Sequence, residues 1–329
     1  MSSTSLTTGP SWARLPRRHV PVLATLALLL VMYAIGVSQY RAFSNVQVIF
    51  NVFIDNGFLL VVAVGMTFVI LTGGIDLSVG SVVAMTAMVS AWLLQAGLPA
   101  LLVLVIALLI GPTLGFLMGC AIHFFDIQPF IVTLAGMFFA RGMCTFISDS
   151  SIRITDGFWT TMAQHRIGNP GGNFVSVSVL IAFAVVLVGA YVLAYTRLGR
   201  NVYAIGGNPQ SALLMGLPVG RTRIAVYTIS GLCSAIGGIL LSFYTLSGAP
   251  LIGIGMELDV IAAVVIGGTV LTGGSGYVFG TVLGVLVLGV IQTLITFDGS
   301  LNSWWTKIVI GGLLFAFILL QRLIGIRYK

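Results

Sequence analysis

Six ionisable side chains lie inside or beside long apolar stretches of the sequence, where charged groups are rare. A charge placed in such a stretch is costly unless it meets water, a partner of opposite charge or a solute. Each of these residues is therefore a candidate for proton relay, solute binding or structural ion pairing. They are Asp55, Asp76, Asp126, Arg141, Glu257 and Asp259.

Asp76 stands in a glycine-rich break between two apolar stretches. Gly73 and Gly74 permit positive φ angles and close backbone approach. Asp76 and Ser78 can accept hydrogen bonds from the free N–H groups at the start of the helix that follows, and Gly80 closes the segment. We therefore predict that Asp76 caps a helix in preference to contacting a solute.

The other candidates leave more than one role open. Arg141 falls within an apolar stretch, where it could pair with a carboxylate such as Asp55 or Asp259, or contact a solute. If the apolar stretches cross a membrane, Glu257 and Asp259 are expected near its outer side, at the outer mouth, either as ordinary solvated acids or as contacts for a solute or its receptor. Asp55 is grouped with them as a possible contact at the outer mouth.

The sequence contains no zinc-protease motif, no paired cysteines and no phosphate-binding loop. No His-Glu-x-x-His pair occurs, and the three cysteines show no paired spacing. A phosphate-binding loop needs a lysine after a glycine, whereas Lys307 follows threonine and Lys329 follows tyrosine. An intramembrane enzyme is thus a weak alternative. We expect no metal or cofactor on this chain, and any ATP must be bound by another chain.

The elements that position these residues are long apolar stretches. Apolar residues make up 58% of the chain and charged residues only 7%, so a water-soluble fold could not cover the apolar surface. A helix that crosses a bilayer requires about 20 apolar residues. The sequence therefore predicts an all-α polytopic membrane protein with about ten transmembrane helices. They are placed near residues 21–39, 52–71, 78–96, 100–122, 127–147, 173–195, 223–246, 256–272, 276–297 and 304–322.

The formal charge of +7 does not indicate nucleic-acid binding, because the basic residues form no stripe interleaved with exposed aromatics. They are concentrated in short connections between spans, which indicates membrane topology. With residues 1–20 as a cytoplasmic tail, both termini fall inside and residues 196–222 form a basic cytoplasmic loop. The inner basic residues are then Arg14, Arg17, Arg18, Arg197, Arg200, Arg221, Arg223, Arg322, Arg327 and Lys329, and the outer ones are Arg41, Arg153, Arg166 and Lys307.

A short internal repeat links two of the breaks between spans. Leu71-Thr-Gly-Gly recurs 200 residues later as Leu271-Thr-Gly-Gly, and Gly80 corresponds to Gly280. Related halves with broken helices are typical of transporters. We therefore predict two related, glycine-broken halves within a single transmembrane domain, with a translocation path around the breaks. The candidate residues of this path are Gly73, Gly74, Asp76, Ser78, Gly80, Arg141, Gly267, Gly268, Gly273 and Gly274.

Three segments of the sequence resemble a known family. The string Gly-Gly-Ile-Asp-Leu-Ser-Val-Gly at residues 73–80, the glycine pairs within residues 262–280, and residues 196–208 are similar to permease subunits of bacterial ABC sugar importers of the ribose, xylose and arabinose family. The resemblance covers nearly the whole chain. Residues 133–139 and 297–307 are further similar to the galactofuranose permease subgroup.

The resemblance implies a set of partners and a location. The chain would form half of a monosaccharide pore in the bacterial cytoplasmic membrane, surrounded by lipid, with a second permease that is either identical or related. A separate ATP-binding subunit would hold ATP and magnesium and power transport. A periplasmic sugar-binding protein would deliver the sugar and set most of the selectivity. The chain itself would be non-catalytic and would bind no nucleic acid.

An ion-coupled secondary sugar transporter is the main alternative. That class also uses repeats and broken helices, but it commonly places a relay of carboxylates near the middle of the membrane. Only Asp76 and Arg141 are deep candidates in this sequence. A cytoplasmic docking loop would also have no use in such a transporter.

Residues 208–216 match the segment that docks a short helix onto the ATPase in such importers. Pro209 can start the helix and Gly216 can end it, although the usual acidic residue is missing. A plain connector between spans is the alternative. We expect substitutions at Gly207 and Gly216 to uncouple ATP hydrolysis from transport. The candidate coupling residues are Arg197, Gly199, Arg200, Gly206, Gly207, Asn208, Pro209, Gln210, Ser211, Ala212 and Gly216.

Overall fold

A computed structural model describes residues 20–168, 172–299 and 303–326 of the chain. Most of the predicted N-terminal tail, together with Arg327 and Lys329, lies outside these residues. The helices are α1 Val20–Gln39, α2 Val46–Leu71, α3 Val79–Gln95, α4 Ala100–Phe124, α5 Pro129–Ile147, α6 Gly157–Gln164, α7 Val177–Tyr195, α8 Arg197–Gly207, α9 Pro209–Leu214, α10 Val219–Thr245, α11 Met256–Ile266, α12 Val278–Asp298 and α13 Ser303–Ile326.

Four short strands form two small antiparallel pairs at one end of the helix bundle. Strand β1, Ile152–Arg153, pairs with β4, Ser247–Gly248, and strand β2, Arg166–Gly168, pairs with β3, Phe174–Ser176. A 3-10 turn, Arg41–Ser44, joins α1 to α2. We call the end of the bundle that carries these strands the hairpin end, and the opposite end the α8–α9 end.

The helices confirm the predicted membrane architecture. Seven of them are long and apolar enough to cross a membrane, and α3 and the apolar part of α13 are shorter. Each predicted span coincides with one helix, but the span predicted at residues 256–272 is too long. Helix α11 ends at Ile266 because Gly267 and Gly268 follow, and Gly268 has a φ of 93°. Its 11 residues extend about 16 Å, roughly half the hydrocarbon core.

Helix α2 occupies the centre of the bundle. Its C-terminal two-thirds is apolar and almost entirely buried, as expected for a helix surrounded by other helices. It packs against α7, α10, α11 and α12. At the hairpin end, the Gln47 side chain accepts a hydrogen bond from the Phe174 N–H at 2.9 Å and donates to the Phe174 carbonyl at 3.1 Å. These two bonds attach strand β3 to α2.

Glycines allow α4 and α10 to approach until their backbones touch. Gly111, Gly115 and Gly119 repeat every four residues along one face of α4, a spacing that brings helices close together in membranes. A Cβ atom added at Gly111 would collide with the carbonyl oxygen of Gly231, and one added at Gly115 would collide with that of Tyr227. This contact fixes α10, which carries part of the site described below.

We expect the Gly111→Ala variant to be less stable than the wild type by about 1–3 kcal/mol, because the added methyl group overpacks the α4–α10 contact. Unfolding of the purified protein in mixed detergent micelles measures this difference. Gly142→Ala is the matched control, since Gly142 also lies within a helix and has no atom within 4 Å of an added Cβ. Equal stability of the two variants would contradict the close contact.

Candidate translocation and coupling site

The two copies of the Leu-Thr-Gly-Gly motif meet in the structure. The first joins α2 to α3 and the second lies between α11 and α12. The N–H of Gly274 donates to the Leu71 carbonyl at 2.9 Å, and a Cβ added at Gly273 would lie 2.8 Å from the amide nitrogen of Gly73. Gly73, Gly273 and Gly274 have φ values of 79°, 88° and 75°, which favour glycine.

Helix α8 rests on this contact between the two breaks. A Cβ added at Gly206 would collide with the carbonyl oxygen of Leu71 and with the amide nitrogen of Gly274. The Tyr203 hydroxyl donates to the Gly276 carbonyl at 2.8 Å, and burial raises the pKa of this hydroxyl above its ordinary value. We call the backbone cluster of Leu71, Gly73, Gly206, Gly273 and Gly274 the turn junction.

The loop predicted at residues 196–222 contains two helices. Thr196 caps α8 by accepting a hydrogen bond from the Gly199 N–H at 3.3 Å. Asn208 caps α9 by accepting from the Ser211 N–H at 2.9 Å. Helix α9 begins at Pro209, as the sequence indicates. The loop is shorter than predicted, because α10 already begins at Val219.

The predicted sensitivity of Gly207 and Gly216 to substitution can be compared with the space around each glycine. Gly207 is exposed and has no atom within 4 Å of an added Cβ, so the structure gives no steric reason for its sensitivity. The constrained residue is its neighbour Gly206, since successive residues point about 100° apart around a helix. Gly216 has open space around it but a φ of 74°, which ends α9 in the left-handed conformation.

An exposed apolar ridge lies at the end of α9. The exposed fractions of Leu213, Leu214 and Met215 are 65%, 89% and 69%, whereas Ala212 is buried. Gln210 is exposed beside them. Adjacent apolar side chains that are exposed in this way mark an interaction surface. Other exposed residues at this end are Arg197, Arg200, Asn208, Pro209, Ser211 and Arg221.

Asp76 is fully buried and all its contacts are internal. Its Oδ1 accepts hydrogen bonds from the Ser78 N–H at 2.9 Å and the Ser78 hydroxyl at 2.6 Å, while its Oδ2 accepts from the Ser230 hydroxyl on α10 at 2.7 Å. The predicted capping is wrong in detail, because Ser78 is the N-cap of α3 and its hydroxyl donates to Asp76. Asp76 therefore ties the first break to α10.

Among the residues that the structure describes, no carboxylate pairs with Arg141, in contrast to one of the two predicted roles. Its Nη1 donates to the carbonyls of Pro250 at 2.7 Å and Ile252 at 2.8 Å. Carbonyls in an irregular segment lack the partners that a helix provides, and a guanidinium offers several donors. The carboxylates proposed as partners bind elsewhere. Asp259 pairs with Lys307 at 2.5 Å, and Asp55 accepts from the Tyr244 hydroxyl at 3.1 Å.

Glu257 lies deeper than the predicted position at an outer mouth. A Cβ added at Gly80, in the first turn of α3, would lie 2.7 Å from its Oε2. Helix α3 continues from Gly80 to Gln95 at the hairpin end, a distance of about 22 Å. The depth of Glu257 could not be predicted from the sequence, because the hydropathy of the residues between β4 and α11 does not show that this segment runs into the bundle.

The remaining glycines of the predicted path hold helices together. A Cβ added at Gly267 would collide with the Gly280 carbonyl oxygen, and the reverse is also true, so α11 and α12 touch through their backbones. A Cβ added at Gly268 would lie 2.9 Å from Pro21 at the start of α1. Gly74 packs against Tyr227, whose hydroxyl oxygen would lie 2.5 Å from an added Cβ.

A polar crevice surrounds Asp55 in the hairpin half of the bundle. Its volume is about 410 Å³, and its lining comes from α2, α10 and α12. Asn51 and Asp55 of α2 face Gln292 and Thr296 of α12 across this crevice. Sequence reasoning missed the α12 residues, although two polar residues spaced four apart in an apolar helix are a signal that could have identified them.

The bundle of apolar helices, its paired glycine breaks and the attached α8–α9 segment define a membrane permease, a transport subunit and not an enzyme. The chain belongs to the family described as "Branched-chain amino acid transport system / permease component", whose model matches residues 48–318. No group of three or more potential metal ligands occurs among the residues that the structure describes.

Several curated relatives are similar over nearly their whole length. The inner membrane ABC transporter permease protein YjfF of Escherichia coli is 47% identical over 93% of both chains. The fructose import permease protein FruG of Bifidobacterium longum is 44% identical over 94% of this chain and 92% of the relative. The ribose import permease protein RbsC of Escherichia coli is 38% identical over 87% and 88%. No solved structure matches the chain.

Proposed function

We propose that this chain forms half of the pore of an ABC importer that carries a monosaccharide into a bacterial cell. The turn junction carries the proposal, because Gly206 joins the exposed α8–α9 segment to both glycine breaks in the membrane bundle. Such a connection is what a transporter driven from outside the membrane requires. The names of the relatives, which include fructose and ribose import permeases, support a sugar as the solute.

The α8–α9 end faces the cytoplasm in this proposal, and both termini lie on that side of the cytoplasmic membrane. Exposed Arg197, Arg200 and Arg221 at this end favour the assignment. The apolar ridge of Leu213, Leu214 and Met215 docks onto a separate ATP-binding subunit, which holds ATP and magnesium. The hairpin end receives sugar from a periplasmic binding protein, and Asp55 is a candidate contact there.

ATP would drive transport through a shift between outward-open and inward-open states. Movement of the ATP-binding subunits displaces α9 and α8, and Gly206 and Tyr203 transmit the displacement to the two breaks. The starts of α3 and α12 follow directly after these breaks. A ligand shifts such an equilibrium only if it contacts the two states differently, so the ridge on α9 must dock differently in each.

Reconstituted transport tests the proposed function. Proteoliposomes would contain this chain with its ATP-binding subunit and second permease, and the binding protein would be added outside. We expect ATP-dependent uptake of labelled galactofuranose, suggested by residues 133–139 and 297–307, or of another pentose or hexose. Leucine would serve as the control solute, because the family description names amino acids. Uptake by the chain alone, driven by a proton or sodium gradient, would instead establish a secondary transporter.

We expect Leu214→Ser to weaken binding to the ATP-binding subunit about 10-fold or more, because a buried leucine contributes about 1.5–3 kcal/mol to an interface. Leu214 is 89% exposed in this chain, so its own stability should barely change. Titration of the purified ATP-binding subunit onto immobilised permease measures the affinity. Gln210→Ala, an exposed polar position on the same helix, is the control. Unchanged affinity in the Leu214 variant would place the docking surface elsewhere.

A further inference from the structure

The segment between β4 and α11 descends into the membrane bundle along α3. A Cβ added at Gly248 would lie 2.7 Å from the carbonyl oxygen of Ala87, whereas Gly253 contacts Gly80. Ala87 follows Gly80 by seven positions in α3, which is about 10 Å along the helix. We call residues 249–255 the re-entrant loop.

The re-entrant loop exposes irregular backbone at a depth where lipid cannot satisfy it. Gly253 and Gly255 have φ values of 71° and 78°. Most carbonyl groups of the loop accept a hydrogen bond from Arg141 or from nearby backbone, but those of Leu251 and Ile254 accept none from the residues that the structure describes. Leu251 and Ile254 are 69% and 62% exposed. Irregular backbone at membrane depth is tolerated only where other protein covers it or where it lines a water-filled cavity. This surface therefore does not face lipid.

The surroundings of Glu257 indicate whether the loop is covered by other protein or lines a water-filled cavity. It is partly exposed and lies beside Gly80, about 22 Å along α3 from Gln95. In the part of the chain that the structure describes, no hydrogen bond or ion pair engages its carboxylate, whereas Asp259 on the same helix pairs with Lys307. An unpaired carboxylate at this depth requires water or a solute. The surface of the re-entrant loop is thus at least partly wet.

We propose that the re-entrant loop and Glu257 form one wall of the aqueous sugar pathway, and that the second permease supplies the opposite wall. A carboxylate accepts hydrogen bonds only, and the hydroxyl groups of a neutral sugar are donors that it can bind. Leu251 and Ile254 contact the second permease or the apolar C–H surface of the sugar. Arg141 positions the wall by holding the Pro250 and Ile252 carbonyls. This inference rests on the proposed function.

Water access to Ile254 tests the wall. Ile254→Cys would be introduced after Cys120, Cys144 and Cys233 have been replaced by alanine, and the reconstituted complex would be treated with a membrane-impermeant, charged thiol reagent. We expect labelling at least 10-fold faster than for Leu109→Cys, an exposed position in the regular helix α4. Added sugar and loaded binding protein should slow the labelling. Equal, slow labelling of both cysteines in every nucleotide state would overturn the proposal.

Substitution of Glu257 tests its contact with sugar. We expect Glu257→Ala to raise the KM for uptake about 10-fold and Glu257→Gln to raise it less, because the amide still offers an acceptor. Unaltered KM in Glu257→Ala would refute the contact. If the labelling rates and the KM values do not change as expected while ATP-driven uptake persists, the proposed pathway wall is refuted and the proposed function stands. Uptake that does not depend on ATP would refute the proposed function itself.

Discussion

ATP-driven uptake is expected to fall about 10-fold or more when Gly206 is replaced by alanine, a loss of about 1.4 kcal/mol of coupling. The added methyl group would collide with the Leu71 carbonyl and the Gly274 amide nitrogen, so α8 must move away from both breaks. Helix α9 would still present Leu214 to the ATP-binding subunit. Transport would therefore be lost while binding of that subunit persists.

The neighbouring glycine supplies a matched control for this experiment. Gly207→Ala adds the same methyl group one residue later in α8, where no atom lies within 4 Å. Uptake, ATP hydrolysis and affinity for the ATP-binding subunit would be measured for both variants in the same proteoliposomes. If Gly206→Ala transports like Gly207→Ala, the turn junction does not carry the movement. If only affinity falls, Gly206 acts through docking.

Replacing Asp76 with alanine is expected to lower the free energy of unfolding by about 3 kcal/mol or more, and to abolish uptake. The change leaves the Ser78 N–H, the Ser78 hydroxyl and the Ser230 hydroxyl without their acceptor in a buried site. Each such buried donor costs about 1–3 kcal/mol. The first break would also lose its attachment to α10. Unfolding in mixed detergent micelles measures the stability.

Two further variants separate the role of the bonds from the role of the charge. Asp76→Asn keeps an oxygen that accepts from Ser78, so it should be more stable than Asp76→Ala. Ser230→Ala removes only the bond to α10 and should fall between the wild type and Asp76→Ala. Wild-type stability of Asp76→Ala would show that water replaces the carboxylate. Full stability with lost uptake would instead indicate direct contact with the solute.

The membrane architecture follows from the sequence because lipid imposes a simple requirement on it. Each span must be helical and apolar over a fixed length, so hydropathy identifies it without knowledge of its neighbours. All ten predicted spans coincide with helices for this reason. The error at residues 256–272 has the same origin. Apolar residues around Gly267 look like the continuation of a span, although they form a break.

Contacts between distant residues could not be predicted in this way. A carboxylate partner was one of the two roles predicted for Arg141, but its partners are the backbone carbonyls of Pro250 and Ile252, more than 100 residues away. Nothing in their side chains indicates such a role. The choice between Gly206 and Gly207 likewise depends on which face of α8 meets the turn junction, and a short amphipathic helix does not reveal that face by itself.

The internal repeat was informative because it recorded chemistry that both copies require. Gly73 and Gly273 both have positive φ values, a backbone conformation that favours glycine, so both copies of the motif can be recognised in the sequence. The hydrogen bond from the Gly274 N–H to the Leu71 carbonyl was not visible, since every residue but proline carries these groups. The sequence thus identified the breaks but not their contact.

Helix α2 is attached to other elements at both of its ends, so a displacement at one end of the bundle would be transmitted along α2 to the other end. Its 26 residues form an unbroken rod about 39 Å long. Gln47 binds strand β3 at one end, on the side where the proposed binding protein would dock. Leu71 joins the other end to the turn junction. An axial shift of this rod moves both ends together. Under the proposed function, docking of a loaded binding protein at the hairpin end and movement of the ATP-binding subunits at the other end would both be transmitted through α2.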